Sequence, residues 1–197
     1  MARVRLRNVQ RELPRHAHDL APKVVAESQR WRIIEAMVEE VARNGIADSN
    51  VAGVIERAGV SRKTFYEHFA DFEACFLATY DVLAKNMIER IASLKGDHAS
   101  QIHKFLEDLE TDRRIAMTFM VGVLGAGPKA LAAREKVNRA FADAFYASIK
   151  DPVHRAAIVG GINAVIISEL LAPKHESLIH LGNSLVSWVG TVSKSSK

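Results

Sequence analysis

The run Gly59-Val60-Ser61-Arg62-Lys63-Thr64-Phe65-Tyr66-Glu67-His68-Phe69 constrains the fold more than any other stretch of this chain. Glycine tolerates the positive φ that closes a helix. A serine two residues later is a good N-cap, its hydroxyl accepting an orphan backbone N–H of the next helix. The spacing predicts a tight turn and then a short helix. Phe65 and Phe69, four apart, fall on one face of that helix and anchor it to a core. Lys63, Thr64 and Glu67 point away, with Arg62, Tyr66 and His68 on the flanks. That set is rich in donors for phosphates and base edges.

Hydrophobic periodicity places two helices before this one. From about Ser28 to Asn44, Ile34, Met37, Val38 and Val41 recur at helical spacing, and Asn44-Gly45 is a stop signal. Asp48-Ser49-Asn50 offers capping side chains to a second helix whose inner face is Val51, Val54, Ile55 and Ala58. Three short helices, the last two joined by a turn containing glycine, compose a helix-turn-helix unit. Beyond Asp71 the chain continues in helical patterns over Phe72 to Leu94, Ser100 to Leu109, Ile115 to Leu124 and Lys129 to Ile149. Lys95-Gly96-Asp97 and Gly125-Ala126-Gly127-Pro128 interrupt them, and Asp151-Pro152 opens a further helix. The expected fold class is all-α, with a basic, flexible arm over residues 1–27, a helix-turn-helix domain over 28–72 and a larger helical domain over 73–197.

The charge of the chain sits at one end. Residues 1–15 hold Arg3, Arg5, Arg7, Arg11 and Arg15 against Glu12 alone, an excess equal to the formal net charge of +4. Arginines on a flexible segment beside a helix-turn-helix can follow phosphates or enter a narrow minor groove; the alternative is a solubilising tail. The N-terminus lacks the apolar stretch of a secretory leader, and the longest apolar run, Ala156 to Ile167, is short for a membrane span and contains Asn163. A cytoplasmic protein without a membrane partner is expected. The single cysteine, Cys75, lies in an apolar helical pattern and is expected as a buried small hydrophobe.

The last two helical segments carry too much apolar surface for a one-sided terminal hairpin. Ile158, Ile162, Val165, Leu181, Leu185 and Trp188 are the expected dimer interface, the alternative being that both helices are central to a single subunit. Gly160-Gly161 in a helix interior points to close backbone approach by a neighbour.

Ala58-Gly59-Val60-Ser61, followed by Thr64-Phe65-Tyr66 and His68-Phe69, resembles the signature of the TetR family of bacterial transcriptional repressors, over a region from Gly45 through Phe76. The resemblance implies about nine helices. It implies that Arg62 and Lys63 face bases in the major groove, that Thr64, Tyr66 and His68 contact phosphates, and that Asn50 and Ser61 cap their helices close to the DNA backbone. Arg3, Arg5 and Arg7 add phosphate contacts from the arm. Phe72 replaces a lysine often found there in the family, and Gly53 stands inside the second helix at a cost of about 1 kcal/mol relative to alanine. The resemblance further implies a ligand pocket between the long connecting helix and the apolar helices after it, with Tyr80, Phe105, Met117, Phe119, Met120, Phe141 and Phe145 as candidates. Their lack of charge favours an apolar or amphipathic effector. The whole then reads as a homodimeric repressor on a near-palindromic double-stranded operator, using no cofactor.

The residues that could suggest an enzyme lack the spacing that catalysis needs. His175 and His180 are five apart, too far around a helix for a zinc-protease pair, and His16 and His18 lack a third ligand. Gly122, Gly125 and Gly127 have no phosphate-loop spacing, and no G-x-S-x-G elbow occurs. An α-helical enzyme is the least favoured class, and a DNA-binding repressor without an inducer is the nearer alternative.

Overall fold

The structure, a computed structural model, describes residues 22–94, 97–174 and 176–195. Among the described residues the chain is all helical, with nine helices and no strand. The first three are α1 (Pro22–Asp48), α2 (Val51–Ala58) and α3 (Arg62–His68). After them come α4 (Phe72–Ala92) and α5 (His98–Thr111). A continuous α6 follows, made of Arg113–Ala116, a π-helical segment Met117–Gly122 and Val123–Gly125. The last three are α7 (Pro128–Phe145), α8 (Pro152–Leu171) and α9 (Gly182–Ser195), the last entered through a 3-10 turn, Leu178–Leu181.

Local chemistry sets most boundaries. Asn50, Ser61, Asp71, Asp97 and Asp151 each accept a backbone N–H at the start of the helix that follows. Gly59 ends α2 in the left-handed region (φ 59°, ψ 41°), and its N–H reaches back to the carbonyls of Glu56 and Ile55. Gly45 breaks α1 at φ 73° and ψ 162°, leaving only a short helical turn before Asp48. The start of α1 departs from the expectation at Ser28. Pro22, a residue suited to a first turn, opens it six residues earlier.

α1 lies at the centre of the packing, against α2 and α3 on one side and α4 and α6 on the other. Its Ile33, Ile34, Met37 and Val38 are fully buried in a core that continues without a break to Val189 on α9. Each such side chain contributes about 1.5–3 kcal/mol through burial. The π-helical part of α6 fits α1 closely. Thr118 donates its hydroxyl to the Val38 carbonyl at 3.2 Å, and a Cβ on Gly122 would lie 2.9 Å from Val41. Arg114 bridges the same junction, donating to Glu39 at 2.8 Å and to Asp112 at 2.6 Å. Cys75 is buried beside these helices, and burial pushes its thiol up to about 12, so it is an unreactive core residue.

Candidate DNA interface and ligand cavity

α3 is held from behind and bare in front. Phe65 is wholly buried, Phe69 nearly so, and the two rings pack 5.9 Å apart. Arg62 and Lys63 are exposed in the first turn, and Tyr66 stands out one turn later, edge-on to Phe65 at 5.4 Å. Lys63 meets Glu67 only at 3.9 Å, both well exposed, a pairing too weak to restrain the lysine. Ser61 accepts the Thr64 N–H at 3.0 Å, and the two hydroxyls lie 2.9 Å apart. Asn50 accepts the Gly53 N–H at 3.2 Å.

His68 is placed differently from its exposed neighbours. Its ring is half-buried, with Nε2 3.5 Å from Gln29 on α1, and desolvation followed by the nearby Arg30 charge lowers its pKa. It is therefore a neutral group near pH 7, tied to α1 while it lies beside the exposed face. Arg3, Arg5 and Arg7 lie outside the described residues.

Several residues that steady this unit gave no signal in the sequence. Arg32 donates to the carbonyls of Ala58 and Gly59, at 2.5 and 2.8 Å, and so closes the C-terminal end of α2 and the turn with a positive charge. Arg30 lies 4.5 Å over the Phe69 ring. Glu40, almost fully buried, accepts from Arg57 Nε at 2.7 Å, and a Cβ on Gly53 would fall 2.3 Å from its Oε1. Gly53 thus admits a buried carboxylate beside the first turn of α2. Phe72 is half-buried and packs on the core.

The larger domain contains a cavity of about 50 Å3, within a cleft whose empty space out to the solvent is about 630 Å3. Tyr80, Phe105, Phe119, Met120, Phe141 and Phe145 line it. Tyr80 stacks on Phe119 at 5.0 Å, and Phe141 packs between Phe105 and Phe145 at 5.7 and 5.5 Å. Met117 does not line it, which corrects the expectation. Within the wide π turn Phe119 and Met120 face the cavity, whereas Met117 packs against the surrounding core. Polar residues also line the cavity: Arg134 and Asn138 on α7, Gln101 on α5 and Asn163 on α8. Tyr146 also lines it, its hydroxyl pushed up to about 12 by burial, with the His98 ring 5.0 Å away. Among the described residues no cluster of three or more His, Cys, Asp or Glu could hold a metal ion.

Half of the expected dimer contacts belong to the subunit's own core. Ile158, Ile162 and Leu185 are buried within the protomer, because the apolar stripe they share turns inward. Val165 (40% exposed) and Trp188 (39%) do reach the surface, and Leu181 is half-buried. The outer face of α8 carries Val153, Ala157, Gly160, Ala164 and Leu171, a largely small and apolar strip. A Cβ on Gly161 would sit 2.5 Å from the Trp188 ring, so α9 rests directly on α8 there, while Gly160 faces open space. By length and composition α8 could cross a membrane, at 20 residues and a mean hydropathy of 1.3, yet its inner side is built into the core.

No curated protein sequence matches this chain. Among solved structures it is similar to the transcriptional regulator FadR from Bacillus subtilis in complex with stearoyl-CoA. That likeness has a TM-score of 0.71 at 20% identity and covers 80% of this chain and 96% of that one. The fatty acid degradation regulator FadR from Bacillus halodurans aligns with a TM-score of 0.72 at 15% identity, covering 82% and 94%. The multidrug binding protein EbrR, complexed with imidazole, aligns at 0.66 with 20% identity, covering 92% and 97%. These likenesses carry the fold. Residues 33–79, which contain α2, α3 and their buried supports on α1, match the model of the bacterial regulatory proteins of the tetR family. The signature helices held in this geometry are thus similar to the DNA-binding segment of the tetR family, on a chain whose fold is that of these solved regulators.

Proposed function

We propose that the protein is a homodimeric, effector-responsive transcriptional repressor that reads a near-palindromic operator with two copies of α3. The observation that supports this most directly is the two-sidedness of α3, with Phe65 and Phe69 buried behind it and Arg62, Lys63 and Tyr66 bare in front. Arg62 and Lys63 at the start of the helix are the base readers, as the N-terminal residues of a recognition helix in the major groove. Tyr66, Thr64, Ser61 and Asn50 serve the backbone, and the arginine arm adds salt-dependent affinity. Residues 28–72 are the DNA-reading domain and residues 73–197 the effector-binding and dimerising one. The exposed strip on α8, with Val165 and Trp188, is the surface for the second copy, and the setting is the bacterial cytoplasm.

The response runs through α6. Phe119 and Met120 border the cavity, and in the same π turn Thr118 and Gly122 press on α1, which carries Arg32 and Glu40 beneath α2. An effector with different affinities for two settings of this turn shifts the spacing of the recognition helices in the dimer. The structural relative described with stearoyl-CoA is consistent with an amphipathic effector. A regulator without an effector is the second reading, favoured by the cavity itself, which at about 50 Å3 holds only a few waters.

Selecting genomic fragments bound by the full chain tests the proposal. An inverted repeat, its half-sites one helical turn or a multiple apart, is expected. Fragments enriched without two-fold symmetry would overturn the dimeric reading. Deleting residues 1–15 is expected to flatten the salt dependence of binding, and an unchanged slope would make the arm a bystander.

A further inference from the structure

The cavity is lined mainly by apolar side chains, and its charge sits at one place. Arg134 is the one charged side chain lining it, and among the described residues it makes no ion pair or hydrogen bond. Glu135, its neighbour in sequence, lies 3.8 Å from Arg139 instead. Arg134 lies close enough to the buried Tyr80 hydroxyl for its charge to oppose the upward effect of burial on that phenol. One turn further along α7, Asn138 lines the same wall. Its Oδ1 already accepts from Asn163 at 3.0 Å, which leaves its amide NH2 as a second free donor. Arg134, Val137, Asn138 and Phe141 are all half-buried, so the donors stand at the rim, while Tyr80, Phe119, Met120 and Ile162 form the buried floor.

We infer that the effector is an amphipathic anion whose carboxylate, or equivalent acidic head, is held at the rim by Arg134 and Asn138, with its apolar tail on the aromatic floor. This rests on the effector reading above and narrows it. A guanidinium fork and a nearby amide N–H are donors only, and a carboxylate is an acceptor only, so the head and the rim match without a further proton. The rim position matters. An arginine fully enclosed by aromatic rings would lose its hydration without compensation, whereas here it keeps contact with solvent until an anion arrives. The tail needs more room than the enclosed 50 Å3, and unbranched Met120 is suited to giving way.

Decanoate, 1-decanol and decylammonium, titrated into the full chain by calorimetry, share a tail and differ in the head. Decanoate is expected to bind with one site per protomer, about tenfold to a hundredfold more tightly than decanol, with decylammonium weaker still. Arg134→Gln is expected to bring decanoate and decanol to equal affinity, and Arg134→Lys to keep part of the preference; unchanged far-ultraviolet dichroism checks the fold of each. Equal binding of all three probes to the wild type, a preference for decylammonium, or a decanoate preference that survives Arg134→Gln would overturn the anion assignment and leave the effector reading standing. No binding by any probe would overturn both.

Discussion

Gly53 is a poor helix residue inside a short helix, and propensity alone says that alanine there should stabilise the protein by about 1 kcal/mol. The buried Glu40 carboxylate reverses that expectation. A Cβ would fall 2.3 Å from Oε1, and moving the carboxylate disturbs its 2.7 Å bond from Arg57. Gly53→Ala should therefore lower the melting temperature, with an overpacking cost of about 1–3 kcal/mol; a raised melting temperature would contradict the close approach. His68 gives a second residue-scale test. Its pKa in the folded chain lies below the 6.5 of a free histidine, so the unfolded chain binds more protons in that range. Its contribution to stability is full above pH 6.5 and is lost as the pH falls below that value. Thermal melts between pH 5 and pH 7 should show a shallower loss of stability in His68→Gln than in the wild type, and parallel curves would contradict it.

At the scale of elements, the capped helices were legible and the π turn was not. Asn50, Ser61 and Asp71 announce helix starts because a cap is a local bond between neighbours in sequence. Ile115 to Leu124 reads as an ordinary apolar helix. Its extra-wide turn belongs to a fit against α1, through Thr118 and Gly122, that no local pattern encodes. The same limit affected α8. A helix apolar nearly all round does not say which face meets its own core, and Ile158 and Ile162 proved to face inward. The small residues Ala157, Gly160 and Ala164 on the other side were the available signal. In α3 the burial of Phe65 is the element's anchor, and Phe65→Ala should cost about 3–5 kcal/mol in chemical denaturation. A loss below 1 kcal/mol would mean that the helix is held by something else.

At the scale of the molecule, the helix-turn-helix and the larger domain share one buried core, with α1 common to both. In the proposed response, a change at the cavity floor would meet packed side chains all the way to α2 and α3. Sequence alone could place the helices because each has its own period and cap. It could not find Arg32, Glu40 or Arg134, charged residues whose importance lies in what they face across the fold. The dimer is the second whole-molecule claim. Val165→Glu places a charge on the exposed apolar strip and should yield monomers by light scattering at concentrations where the wild type is dimeric. A dimer of unchanged stability would move the interface elsewhere.

Base reading by α3 is the centre of the account, and selection from a randomised duplex library separates it from backbone affinity. Run with the wild type, Lys63→Ala and Tyr66→Phe, it should give a changed base preference for Lys63→Ala, and for Tyr66→Phe the wild-type preference at uniformly weaker binding. Identical preference profiles for the wild type and Lys63→Ala would contradict direct reading of bases by this helix.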